Sequence, residues 1–213
     1  MNKDLTEIVC IVDRSGSMSS IAADVIGGLN TFIGKNKELP GSANLTLVLF
    51  DHMYDVVYSG DVKNCPVITN ELYYARGNTA MFDAIGRTIN DVGIRLGSYS
   101  EEARPSKVIV CIMTDGEENG SRIYTAQRVQ EMVKHQTDVY SWEFIFLGAN
   151  IDTAKTSTGL GMSATRSASS FKANSRGVDV AFTAYSCALS DVRSKGVMAD
   201  ASLYMAKAEA DVK

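Results

Sequence analysis

The stretch IVCIVDRSGSM, residues 8–18, decides how this chain is read. Ile8 to Val12 form an unbroken apolar run rich in Val and Ile. A half-exposed strand would alternate polar and apolar residues, so the run predicts a strand covered on both faces. It stops abruptly at Asp13, and Ser15 and Ser17 come after it at alternate positions with Gly16 between them. Residues leaving a strand at every second position can point to one side, and Gly16 lets the backbone turn tightly into the next element. Two accounts are open at this point. The oxygens gather for a ligand, or Ser15 and Ser17 cap a helix whose N-terminal dipole favours Asp13.

Working outward, runs of the same character lie at 6–12, 45–50, 107–114 and 142–147. A short segment at 54–58 comes after the second run, separated from it by Asp51, His52 and Met53, which predicts a hairpin with its second strand at an edge. Residues 169–172 are a weaker candidate for a last strand. Between the strands the period becomes helical. Met18, Ile21, Val25, Leu29 and Phe32 share a face closed by Gly34, and Phe82, Ile85, Ile89, Val92 and Leu96 share one closed by Gly97. Residues 122–137 predict a third helix with Ala126, Val129 and Val133 inward, and 175–193 a fourth with Val178, Phe182, Tyr185 and Leu189. The segment 153–170 has the composition of a short helix and a loop, and the tail 197–213 is amphipathic through Met198, Leu203 and Met205. Strands alternating with helices imply an α/β fold with a doubly wound, mostly parallel central sheet, one antiparallel edge strand and helices on both faces. Ligands of such sheets bind beyond the carboxyl ends of the strands, where Asp13 and Asp115 are expected to stand.

With 213 residues the expectation is one domain, its core at about 6–190 and 197–213 a helical extension. A net charge of −4, with both signs mixed along the chain, offers no basic stripe, so general nucleic-acid binding is not expected. Cys10, Cys65, Cys111 and Cys187 lie far apart, with no Cys-x-x-Cys and no Cys/His cluster; free thiols in a reducing compartment are expected and zinc is not. No cleavable leader and no membrane-length apolar run can be drawn, which predicts a cytoplasmic protein without membrane attachment.

Three distant segments converge on the carboxyl edge: Asp13-Arg14-Ser15-Gly16-Ser17, Gly77-Asn78-Thr79 ahead of a helix, and Thr114-Asp115-Gly116-Glu117-Glu118. Carboxylates and hydroxyls without imidazole or thiolate are hard ligands that suit Mg²⁺, Mn²⁺ or Ca²⁺. The combination resembles the metal-ion-dependent adhesion site of von Willebrand factor A domains. That family's Asp-x-Ser-x-Ser is matched by Asp13, Ser15 and Ser17, its loop threonine by Thr79, and its final strand-end aspartate by Asp115. The resemblance extends from about residue 6 to about 190 and implies a Rossmann-like fold. It further implies that Ser15, Ser17 and Thr79 bind the cation, that Asp13 and Asp115 hold it directly or through water, and that a protein partner completes the site with an Asp or Glu. Arg14, Arg76, Asn78, Glu117, Glu118, Asn119, Asn150 and Asp152 are expected to form a solvated rim. Short stand-alone proteins of this kind are typical of bacteria and their phages.

An enzyme is not expected. Asp13 after an apolar strand resembles the nucleophile of haloacid-dehalogenase-like phosphatases, but Ser15 stands where that family has its second aspartate. Ser15-Gly16-Ser17 lacks the Gly-x-Ser-x-Gly of a nucleophile elbow, and there is no phosphate-binding Gly-Lys-Ser/Thr. Two alternatives stay open: first an assembly component, for instance of a phage particle or a stress-response complex, that keeps the fold and uses surfaces away from the metal, and behind it a metal-assisted hydrolase or phosphotransferase.

Overall fold

In the computed structural model, which describes residues 1–212, residues 8–13 are the end of a strand, β1 (Asn2–Asp13), at the centre of the sheet. Ile8, Cys10 and Val12 enter the core on one face, and Val9 and Ile11 enter a second core on the other. Burial on both faces explains the absence of alternation. The chain continues through α1 (Ala22–Glu38), β2 (Ser42–Phe50), β3 (Tyr54–Asp61), α2 (Met81–Gly97), β4 (Pro105–Thr114), α3 (Ala126–Tyr140), β5 (Glu143–Gly148), α4 (Thr153–Gly159), β6 (Ala168–Ser170), α5 (Ser175–Lys195) and α6 (Ala201–Asp211). The six strands lie in the order β3-β2-β1-β4-β5-β6, parallel except for β3, which pairs antiparallel with β2 at one edge. This is the doubly wound sheet that the alternation of patterns predicts.

Helices α1 and α5 cover the first face, where Phe32 stacks on Tyr185 with centroids 4.7 Å apart. Helices α2 and α3 cover the second through Ile85, Ile89, Val129 and Val133. The crossover from β1 to β2 therefore passes over one face and that from β3 to β4 over the other. Neighbouring β1 and β4 thus end at a switch point, where the diverging connections leave a crevice.

Several boundaries differ from those the sequence predicts. Helix α1 does not stop at Gly34, which has open space around it, but runs to Glu38. It ends where Pro40 forces Leu39 into an extended conformation (φ −68°, ψ 143°). The third helix starts at Ala126, which is exposed, and not at 122. Thr125 caps it, and the amides of Arg122, Ile123 and Tyr124 donate to the Asp83 carboxylate of α2. The last strand is 168–170, with Phe171 donating its amide to the Gly148 carbonyl just beyond it. In the tail, Tyr204 and Met205 pack inward on α6 while Leu203 faces solvent. Among the described residues no helix is long and apolar enough to cross a membrane.

Candidate metal centre

The site is built from the end of β1. Asp13 is buried, and its two carboxylate oxygens have separate donors: Oδ1 accepts the Ser15 amide at 2.6 Å and Oδ2 accepts the Thr114 hydroxyl, from the end of β4, at 2.5 Å. The chain leaves the strand in a fixed direction because the Arg14 amide bonds the Phe50 carbonyl and the Gly16 amide bonds the Gly77 carbonyl. A 3₁₀ turn, Gly16–Ile21, comes next. Ser15 stands at its N-terminus, yet its side chain caps nothing; its Oγ lies 3.1 Å from Ser17 Oγ instead. The capping account therefore fails for Ser15. Ser17 Oγ in turn donates to Asp115 Oδ1 at 2.5 Å. Asp13, Ser15, Ser17 and Asp115 thus form one continuous polar chain across the ends of β1 and β4.

Thr79 enters from the loop before α2. Its amide donates to Asn119 Oδ1 at 2.9 Å, and its carbonyl accepts the amides of Asn119 and Gly120. These bonds fasten the threonine loop to the loop after β4. Gly116 shows how close the hydroxyls come: a methyl group placed there would lie 3.3 Å from Ser17 Oγ and 3.4 Å from Thr79 Oγ1. Both oxygens therefore border one small space. Gly77, at φ +66°, makes the turn that carries Thr79 there, and a side chain on it would run into His52.

Burial raises both carboxylates of the site. Burial pushes the Asp13 carboxyl up to about 6, against the hydroxyl and amide bonds from Thr114 and Ser15 that lower it; neighbouring Asp115 adds to the rise. Burial raises Asp115 as well, partly offset by Ser17. Among the described residues no Lys, Arg or His lies within ion-pair distance of either. Arg14 is next to Asp13 in sequence, but its guanidinium turns away, to Asp51 at 3.0 Å, to Asp55 and to the Leu72 carbonyl. Two crowded carboxylates with three neutral hydroxyls are a donor set that fits a hard divalent cation. Among the described residues no three His, Cys, Asp or Glu side chains are grouped for a metal, so any such site here depends on the hydroxyls.

The rim differs from the expected solvated ring. Arg14 is sealed, with 2% of its surface exposed. Glu118 accepts the amides of Phe82, Gly120 and Ser121, which fixes the start of α2. Asn119 holds Thr79, and Asp152 caps α4. Arg76 is fixed by Asp51, while Asn78, Glu117 and Asn150 are exposed. Two supporting residues escape the sequence reading, Asp51 and Tyr73, whose hydroxyl bonds the Asp13 carbonyl at 2.7 Å, while Thr114, part of the third converging segment, serves to orient Asp13. Asp51 had a signal, since an aspartate closes the apolar run LVLFD as one closes IVCIVD, although Asp51 stands one residue past β2, whose Phe50 pairs with Asp13 in register.

No protein-family model matches the chain, and no curated protein does. Solved structures match its fold. The pilus adhesin SpaC from Lactobacillus rhamnosus GG covers 89% of the chain at 16% identity with a TM-score of 0.63. A variant of the PilB minor pilin from Streptococcus sanguinis covers 91% at 11% identity with a TM-score of 0.58. A von Willebrand factor type A structure from Catenulispora acidiphila covers 73% at 17% identity with a TM-score of 0.51. The chain spans 31%, 62% and 36% of their respective lengths. At such identities the likeness is one of fold: the chain has the Rossmann-like α/β architecture of von Willebrand factor A structures.

Proposed function

We propose that this chain is a divalent-cation-dependent protein-binding module whose partner presents an Asp or Glu carboxylate to the cation. Asp13, Ser15, Ser17, Thr79 and Asp115 would hold Mg²⁺, with Mn²⁺ or Ca²⁺ as substitutes. The observation that carries the reading is the pair of buried carboxylates, Asp13 and Asp115, bordered by hydroxyls and, among the described residues, without a cationic side chain in ion-pair distance. When bound, the cation supplies positive charge that neutral hydroxyl ligands leave largely uncancelled, so an incoming carboxylate is attracted to it. The protein's part is positioning. Thr114 and the Ser15 amide orient Asp13, Asp115 orients Ser17, and Asn119 sets the height of Thr79. In this reading the module binds and does not turn over: the imidazole of His52 lies against Asp51 at 3.2 Å and that of His135 packs edge-on against Tyr140, and neither is hydrogen-bonded to Asp13, Ser15, Ser17, Thr79 or Asp115. That a pilus adhesin shares the fold is in keeping with a binding role.

A second reading, assembly through surfaces away from the metal, draws on one observation. A cavity of about 810 Å³ between α2 and α3 is lined by Ile89, Met132 and Trp142, with Ile94 and Tyr140 exposed beside it. Calorimetry of dialysed protein with Mg²⁺, then partner capture in Mg²⁺ and elution in chelator, separates the two. Mg²⁺ binding lost in Asp13→Ala and Asp115→Ala, with chelator-sensitive capture, supports the first. Absence of Mg²⁺ binding together with chelator-indifferent capture overturns it in favour of the second.

A further inference from the structure

Beside the cation site lies a second surface that ligand-holding does not require. Tyr74, Met53 and His52 are each about half exposed, and the guanidinium of Arg76 lies among them. Arg76 sits over the Tyr74 ring, 4.8 Å from its centroid, donates to the Tyr74 hydroxyl at 2.7 Å and reaches Met53 Sδ at 3.6 Å. Underneath, Asp51 is fully buried and accepts Arg14 Nε at 3.0 Å, Arg76 Nε at 2.7 Å and the Met53 amide at 2.6 Å. One carboxylate thus fastens three parts of the surface to the end of β2.

This plate is in register with the cation site through the backbone. The Arg76 amide bonds the Arg14 carbonyl, the Gly16 amide bonds the Gly77 carbonyl, and the Ala80 amide bonds the Asp51 carbonyl. Arg14 stands between Asp13 and Ser15, and Thr79 lies three positions beyond Arg76. The plate therefore stands on the loop that carries Thr79 and is bonded through the backbone to the loop that carries Ser15.

The charge count decides what the plate accepts. Arg14 and Arg76 face Asp51 and Asp55, two cations against two anions. The network is balanced and does not call for another acid. What it presents outward is a ring, a thioether and an imidazole, held rigid from below. Tyr, Met and Arg are the residue types enriched where interfaces bind, and a surface already fixed loses little conformational entropy on association.

We infer that the Tyr74–Met53–Arg76 plate is the second contact of the partner and receives an aromatic side chain adjacent to the acidic residue that meets the cation. The inference rests on the cation-dependent reading proposed above. The partner segment it specifies is an acidic residue flanked by an aromatic one.

Two blocked peptides test it, each acetylated and amidated so that its aspartate is the sole carboxylate: Gly-Trp-Asp-Trp-Gly and Gly-Gly-Asp-Gly-Gly. Both are titrated by NMR into the full chain saturated with Mg²⁺. The tryptophan peptide should bind about fivefold more tightly, the factor expected for one gained aromatic contact. Tyr74→Ala should remove that advantage while leaving the glycine peptide and Mg²⁺ itself bound as in the wild type. Tyr74→Phe, which keeps the ring, should retain the advantage even if Tyr74→Ala disturbs the loop. Equal affinity for the two peptides, no binding of either, a preference that survives in Tyr74→Ala, or tryptophan-peptide binding that persists in chelator would each overturn the inference. Failure of the underlying reading looks different: Mg²⁺ alone would then leave the amide signals of Ser15, Ser17 and Thr79 unmoved.

Discussion

Strand β1 carries two fully buried carboxylates, Glu7 and Asp13, six positions apart and of the same parity. Glu7 is answered within the protein. Arg95 of α2 reaches its Oε1 at 2.7 Å, and Thr46 of β2 donates to the same oxygen at 3.0 Å while itself accepting from Arg95. Asp13 has comparable burial and only neutral donors, with Asp115 as a second acid nearby. Asp51, at the end of the adjacent strand, repeats the Glu7 pattern with two arginines. Where a buried acid serves the architecture, this chain supplies the cation from its own side chains. At Asp13 and Asp115 no cation is supplied among the described residues, although Arg14 is adjacent in sequence. The difference is what supports the proposal that the counter-charge of these two acids comes from outside.

The largest effect tests the paired side of that contrast. Arg95→Ala strands a buried Glu7 carboxylate and should lower the unfolding free energy by about 3–5 kcal/mol in urea denaturation. A loss below about 1 kcal/mol would mean that Glu7 does not need its partner, and the contrast with Asp13 would collapse.

Next comes the external cation. Mg²⁺ at a hundredfold excess over its dissociation constant should stabilise the wild type by about 2.7 kcal/mol, because it binds the folded chain alone. Differential scanning calorimetry with and without chelator reads this directly. Arg95→Ala should keep the Mg²⁺ increment and Asp13→Asn should lose it; the same increment in Asp13→Asn would place the cation elsewhere.

A smaller and opposite effect is expected for Asp13→Asn in chelator. Removing a buried charge that the protein does not neutralise should leave the metal-free fold unchanged or more stable by about 1 kcal/mol. Destabilisation by several kcal/mol would instead assign Asp13 an architectural role like that of Glu7. The smallest change in stability belongs to Thr79→Ala, within about 0.5 kcal/mol, since Thr79 is held through its backbone. Its Mg²⁺ affinity should nevertheless fall about tenfold by calorimetry, and an unchanged affinity would remove Thr79 from the ligand set.

Much of this was legible before any fold was known. Ile8–Val12, Leu45–Phe50 and Val108–Met113 are buried on both faces of the sheet, an environment that favours runs which are apolar throughout or, at Thr46, polar with a bonded partner. Likewise Asp13, Ser15, Ser17 and Asp115 fall at the ends of β1 and β4 because apolar runs must end where the sheet ends. The start of α3 was not legible. The sequence reading begins the helix at 122, but the amides of residues 122–124 are captured by Asp83, about 40 positions away. Nor was the fate of Arg14, which a local reading places on a solvated rim.

By itself the sequence determined the alternation of strands and helices, the doubly wound class and the positions of the oxygen-bearing residues, because hydrophobic period and the length of apolar runs dictate them. Only the tertiary structure decided which charges are neutralised. Arg14 turns to Asp51 and Asp55, 37 and 41 positions away, and Arg95 crosses to Glu7 over 88. Pairing of buried charge is a matter of ångströms between side chains, set by how the strands register and how the helices cross them. Proximity in the chain does not fix it, so adjacent Asp13 and Arg14 can end in separate networks.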